Sequence, residues 1–447
     1  MSMPESQLRT WAIAGIALAV GVAIRVHNAF AYKMLWGFDA LSNWRYIEYL
    51  TQTWVLPAPD AAWSTAHPPL YYYLCAAICR GLDDPDRAFN VIVLRLLASA
   101  VGLLTVALVV ILVRRTDPDN LRRALLAGGL VLFLPVHIYM SAMLTEEILV
   151  TSLISLVIVG VALEQTGLSK PVWLAAGLGL IAGLAFLTKL TGVLVMVAAA
   201  GTYLIEGWRS RAMRPAILRA SVLVLLTVLI GGWFFARNLV EYGYLYPHGL
   251  EVHKIMFSMP PGDRQIWDYL RIPLATWTDP QLLHPSLLRS VWGSTFVTMW
   301  FDGHRVFLPT NTPVVTHVGT AILLLALLPT AAFAVGFTRG VKRMLRSGRG
   351  PDTILILVTA ITLAAYVLFT WRNPWFAVHK ASFMLSLSLP FAYYASAVLD
   401  DWTHKNPLIR FAVWSVLAIL AVLISGTFSF SELFWNMDHM SKPGVAW

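Results

Sequence analysis

Asp39 stands in WGFDALSNW, just beyond the first long apolar run. A carboxylate there can cap the helix that follows, since Asp is a good N-cap. It can also act as a general base that takes the proton of an attacking hydroxyl. A single base, with a leaving group that needs no protonation, displaces with inversion, whereas hydrolases pair two carboxylates. His67 precedes Pro68 and Pro69, and Tyr71, Tyr72 and Tyr73 follow. His67 reads either as a turn residue or as part of a cleft lined by aromatic faces with polar tips, Tyr71 among them. Glu146 and Glu147 open another apolar run. The helix dipole favours acids there, and two acids beside Thr145 could equally bind an acceptor or a metal. Glu147, directly before IleLeuVal, is the inward-facing candidate.

The cations are spaced along the same chain. Lys189, in GLAFLTKLTG, is flanked by apolar helix on both sides. It either snorkels to headgroups or faces a cavity with a partner, and an ammonium binds phosphate as a point charge. Arg237 and Asn238 close an apolar run in GGWFFARNLVEYG. A guanidinium can grip phosphate bidentately, with headgroup anchoring as the plainer account. Arg372, His379 and Lys380 flank one turn. The helix dipole disfavours a cation at a helix start, so Lys380 suggests a bound anion. No HExxH and no Cys/His cluster is present, and Asp279 and Asp302 read as turn residues. Cys75 and Cys79, four apart on one expected helix, form no disulfide framework. No metal or other cofactor is expected.

The elements that must hold these groups are membrane helices. The 447 residues are 58% hydrophobic and 13% charged, with mean hydropathy +0.67, against about 25% charged in soluble domains. Spans of roughly 20 apolar residues are expected at 10–29, 89–112, 122–140, 146–163, 171–187, 190–206, 216–235, 313–337, 353–371, 380–399 and 408–427. The predicted fold is an all-α polytopic membrane protein with about eleven helices. The first run reads as a retained span, not a cleaved signal. Arginines and lysines gather in the loops at 114–123, 207–219, 338–350 and 405–410, all on one side of alternating spans. The positive-inside rule makes that side cytoplasmic, with the N-terminus inside and the C-terminus outside. The net charge of +9 therefore belongs to these loops and gives no argument for nucleic acid. One integral domain is expected over 1–447: a first outer loop at 30–88 with two short interfacial helices, a long outer segment at 237–312, and C-terminal helices over 313–447. No soluble domain, repeat or low-complexity tract is visible.

Taken in order, Asp39, RYIEYL at 45–50, LP at 56–57, HPPLYY at 67–72, EIL at 147–149, GLAFLTKLTG at 183–192 and WFFARN with YG at 233–243 resemble the C-type glycosyltransferase superfamily. The likeness is greatest to bacterial members of the dolichyl-phosphate-mannose protein mannosyltransferase-like group, and covers roughly the first 250 residues. It implies an inverting enzyme of the inner membrane. Such an enzyme takes a sugar from a polyprenyl-phosphate carrier and gives it to an acceptor hydroxyl of a glycan, lipid or protein on the periplasmic face. It implies Asp39 as the base and Lys189, Arg237 and Lys380 as phosphate candidates. Two departures touch the acceptor: Ala40 follows Asp39 where relatives carry an acid, and Asn43 or Trp44 stands where several carry a His. A transporter or flippase is the alternative class, but no matched Gly/Pro-broken spans recur in two halves. A polymerase or ligase using a polyprenyl-diphosphate carrier is a third reading.

Overall fold

The computed structural model describes residues 5–166, 171–246, 257–304, 313–347 and 350–429. Parts of the long outer segment expected at 237–312, and most of the tail after Phe428, lie outside the described residues. The helices are α1 (Glu5–Ala31), α2 (Ala40–Thr53), α3 (Leu70–Leu82), α4 (Arg87–Thr116), α5 (Leu121–Leu132), α6 (Pro135–Ser141), α7 (Glu147–Gln165), α8 (Val172–Thr188), α9 (Val193–Arg209) and α10 (Met213–Tyr242). After a region of short turns come α11 (Val291–Trp300), α12 (Pro313–Leu325), α13 (Leu327–Ser347), α14 (Asp352–Arg372), α15 (Ser388–Lys405) and α16 (Pro407–Thr427).

All eleven expected segments are helical. Among the described residues, nine helices or joined helices are long and apolar enough to cross a membrane. The segment expected at 122–140 is α5 and α6, bent by 55° at their junction. Pro135 causes the break: it opens α6 at the first helical position and supplies no N–H to α5. The segment expected at 171–187 is α8, a 17-residue helix of about 26 Å at 1.5 Å per residue, a little under the roughly 30 Å hydrocarbon core. Some hydroxyls on the spans bond to the preceding turn, as Thr202 to Ala198 O and Thr359 to Leu355 O do, whereas those of Ser99, Thr151 and Ser155 are buried without a partner among the described residues.

The first loop, between α1 and α4, holds the two short helices its sequence suggests, α2 and α3. Trp44, Tyr46, Ile47 and Leu50 of α2 pack against Tyr71, Tyr72 and Cys75 of α3, Val91 and Leu94 of α4, and Leu144. Ile47 and Leu50 are fully buried, each contributing about 1.5–3 kcal/mol. Polar clamps fix the register: Tyr72 Oη donates to Asn43 Oδ1 at 2.9 Å, and Asn43 Nδ2 donates to Leu144 O at 2.7 Å. Asn43, a departure in the sequence, is therefore the pin between α2, α3 and the turn that carries Glu146.

Candidate active site

Asp39 is delivered by a sharp turn. Leu35, Gly37 and Asp39 all have positive φ (59°, 117° and 54°), a region unfavourable for side chains other than Gly and, to a lesser degree, Asp and Asn. A Cβ on Gly37 would sit 2.8 Å from Met143 Sδ, so the glycine serves both backbone and packing. Asp39 occupies the N-cap of α2 but makes no side-chain cap. Its Oδ1 instead accepts from Trp63 Nε1 at 2.9 Å. Ser64 N donates to Ser42 Oγ at 3.1 Å, holding the 58–66 segment over the start of α2. Strain of about 1–3 kcal/mol per such residue is characteristic of functional sites.

Beside it lies a charge cluster from three distant parts of the chain. Lys189 Nζ donates to Glu146 Oε1 at 2.8 Å and to Glu147 Oε1 at 2.6 Å. His67 Nδ1 is 3.6 Å from Glu146 Oε1. Lys189 sits between α8 and a 3₁₀ turn at Leu190–Gly192. A Cβ on Gly192 would come within 2.2 Å of the Ala185 carbonyl carbon, so only glycine permits this reversal. The LTKLTG sequence thus aims its lysine at the mouth of α7. Burial pushes the Glu146 carboxyl up, but Lys189 and then His67 outweigh it and hold it at about 2. Burial pushes the His67 imidazole below its usual value, and Glu146 opposes this only in part. Glu146 and Glu147 both face inward and share one lysine, so the structure does not single out Glu147 as the inward-facing acid.

Lys380 is different. It precedes a 3₁₀ stretch at Ala381–Leu387 and its Nζ lies 4.3 Å from the Phe38 ring centroid and 5.1 Å from that of Phe383. Phe383 also faces Lys189, at 5.5 Å. Asp39, Lys189, Glu147 and Glu146 act electrostatically on Lys380, yet no carboxylate lies within ion-pair distance of it among the described residues. It is a cation in an aromatic cradle, one side chain from Asp39. His304 lies edge-on to Phe38 at 5.1 Å and near Phe376 at 6.3 Å. Burial, then Lys380 and His379, press the His304 imidazole well below its usual value.

Four of the expected residues lie apart from this cluster. Tyr71 is buried in the loop core against Tyr72, ring to ring at 5.2 Å. Arg237 Nε pairs with Glu241 at 3.0 Å, and its Nη2 donates to Tyr242 Oη at 3.1 Å and Pro57 O at 3.3 Å. It ties α10 to the first loop. Asn238 is fully buried, donating to Leu245 O at 3.5 Å. His379 Nε2 meets Arg264 Nη2 at 2.5 Å, beside the Arg264–Asp268 pair at 3.4 Å. Among the described residues, no group of three or more His, Cys, Asp or Glu side chains is arranged as a metal site. Sequence reasoning missed Trp63, Phe38, Phe383 and His304. The pairing of Trp63 with Asp39 has no local signal, because 24 residues separate them.

Comparisons with known proteins fit this geometry. Residues 66–233 match the sequence model of the dolichyl-phosphate-mannose-protein mannosyltransferase family. No curated protein matches by sequence. Among solved structures, the Archaeoglobus fulgidus oligosaccharyltransferase in complex with Zn and sulfate is similar at 16% identity and TM-score 0.57, over 94% of this chain and 53% of that one. The archaeal oligosaccharyltransferase AglB from Archaeoglobus fulgidus, in complex with an inhibitory peptide and a dolichol-phosphate, is similar at 14% identity and TM-score 0.54, over 96% of this chain and 56% of that one. ArnT from Cupriavidus metallidurans bound to undecaprenyl phosphate is similar at 13% identity and TM-score 0.56, over 97% and 78%. The chain thus spans about half the length of the archaeal enzymes it matches. It shares the fold of these membrane glycosyltransferases, and over residues 66–233 its sequence resembles the dolichyl-phosphate-mannose-protein mannosyltransferase family.

Proposed function

We propose that this chain is an inverting glycosyltransferase that moves a sugar from a polyprenyl-phosphate carrier to an acceptor hydroxyl. The observation that carries the reading is the pairing of opposites on adjacent structure. Asp39 is oriented by Trp63 through one oxygen, while Lys380 sits on the ring of Phe38, the preceding residue, without a carboxylate partner. Asp39 takes the acceptor proton as the acceptor oxygen bonds to the anomeric carbon. The bond from that carbon to the carrier phosphate breaks, and the phosphate leaves with the electron pair. A phosphate leaving group needs a cation more than an acid, and Lys380 is the cation with charge to spare. Lys189 is shared by two carboxylates, so in this reading it shapes the acidic wall and is not the principal phosphate ligand. His67, neutral and hydrogen-bond capable, lines the acceptor side with Glu146. The arginine-rich loops support an extracytoplasmic position for Asp39 in the inner membrane.

Asp39→Asn keeps the shape and the Trp63 bond but removes the base. Complementing a deletion strain with this variant should leave transfer reduced by about 10²–10⁴-fold, and mass spectrometry should show the lipid-linked sugar accumulating. Transfer within a few fold of the parent, at equal protein level, would reject Asp39 as the base.

A further inference from the structure

At the face remote from Asp39, a cavity of about 490 Å³ opens between the ends of α4, α5, α13 and α14 and the middle of α15. Thr166, which follows α7, lines it, whereas Glu147 begins α7. The 19 residues between put the two sites about 28 Å apart at 1.5 Å per residue. Three guanidinium groups line the cavity: Arg115, Arg123 and Arg343.

Their charges are unequally matched. Arg343 holds Asp352 bidentately at 2.8 and 2.9 Å. Asp352 also accepts from Tyr394 Oη at 2.9 Å, so both its oxygens are occupied. Arg123 donates to Asp117 at 3.0 Å and lies 4.9 Å over the Tyr393 ring. Its Nε is buried with no hydrogen-bond partner. Arg115 has no ion pair or hydrogen bond among the described residues. Among the described residues the cavity therefore presents one free and one partly satisfied guanidinium, the second held over the Tyr393 ring and 3.5 Å from the Tyr393 carbonyl. Ordering an arginine normally costs side-chain entropy; here stacking and Asp117 have set its orientation beforehand, and a guanidinium matches phosphate geometry.

We propose that this cavity binds the phosphate of an anionic phospholipid from the leaflet opposite the catalytic face. Two observations favour a lipid over a soluble anion. Arg115 ends a 30-residue apolar helix, at headgroup level. Ile111, one turn deeper on the same helix, is exposed at 43%, which gives an acyl chain a surface to lie on below the headgroup. Basic pockets between membrane helices on the arginine-rich side are suited to such headgroups. The site would anchor α4, α13 and α15 to one another through a lipid.

The test uses the full chain in nanodiscs of phosphatidylcholine with a titrated fraction of phosphatidylglycerol, and native mass spectrometry after gentle extraction. The parent should retain phosphatidylglycerol over phosphatidylcholine. Arg115→Gln, which breaks no internal contact, should reduce that retention about three- to tenfold, and Arg115→Gln with Arg123→Gln should abolish it. Arg123→Gln alone loses its stack on Tyr393, so melting of each variant in pure phosphatidylcholine checks the fold, and the Arg115→Gln result stands if Arg123→Gln does not fold. A second arm adds inorganic phosphate at about 10 mM to protein in pure phosphatidylcholine. Stabilisation there that Arg115→Gln removes, without any lipid preference, would assign the phosphate site to a soluble anion and overturn the lipid. Retention equal for both lipids with no phosphate effect, or a preference that Arg115→Gln leaves unchanged, would overturn the site.

Discussion

Replacing Lys189 by Met isolates what holds the acidic wall together. The lysine Nζ lies 2.8 Å from Glu146 and 2.6 Å from Glu147, and the two carboxylate side chains are 5% and 8% exposed. The substitution keeps the length of the side chain and removes its charge. Two carboxylates, adjacent in sequence and buried, then lose the cation that pairs with both. Breaking a buried pair in this way costs about 3–5 kcal/mol, and here two pairs share one cation, so the upper end is expected. The pH dependence gives a second reading. In the parent, Lys189 outweighs the burial that pushes Glu146 up. In Lys189→Met that offset is gone, and the folded-state Glu146 is raised above its unfolded value of about 4.3. The penalty is then fully present above the raised folded value and fades as pH falls towards the unfolded one. Thermal unfolding of detergent-solubilised protein at pH 7.5 and 5.5 should show a large loss at the higher pH and a smaller one at the lower. Lys189→Met combined with Glu146→Gln and Glu147→Gln should recover most of it, because neutral groups need no cation. A Lys189→Met melt equal to the parent at pH 7.5 would refute the claim that the lysine neutralises this wall.

Lys380→Ala should weaken polyprenyl-phosphate binding about tenfold or more, measured by lipid titration of intrinsic fluorescence. Unchanged affinity with lost transfer would move Lys380 from the carrier to the acceptor. For His67, whose value burial lowers, the imidazole stays neutral through the range near 6.5 where a free one protonates. The acid limb of the parent's transfer profile should fall below that pH, and His67→Gln should lose this limb; a profile unchanged in His67→Gln would dismiss its role. Transfer should survive EDTA, since Glu146 and Glu147 are already engaged by Lys189; complete loss restored by a divalent ion would show that these acids, or others, work through a metal.

The helices were legible in the sequence because a membrane span is a local property of composition: α1, α4, α7 and α14 stand where apolar runs stand. The α5–α6 bend was also written locally, at Pro135, although hydropathy averages over it. The acidic wall was half legible. Glu147 and Lys189 were each visible as charges at helix ends, but their meeting depends on the Gly192 reversal, a packing fact without a periodic signature. Arg237 illustrates the limit in the other direction. A guanidinium at a span's end fits a phosphate on chemistry alone, yet Glu241, one helical turn on, engages its Nε and the Pro57 carbonyl and Tyr242 its Nη2, which leaves Nη1 unpaired among the described residues. His379 is likewise taken by Arg264. Long-range partners decide which charges remain available, and these are set by tertiary contacts across tens to hundreds of residues. The tryptophan that steadies Asp39 belongs to the same class.

The left-handed backbone at Asp39 has a mechanical corollary. The carboxylate is mounted on the N-cap of α2, directly before Ala40, with no flexible linker between base and helix. Rotating or sliding α2 by a fraction of an ångström would shift the proton acceptor by a similar amount. Whatever docks against the outer surface of the α2–α3 pair therefore leans on the base itself, so arrival of the acceptor and readiness of the chemistry are coupled through one rigid lever.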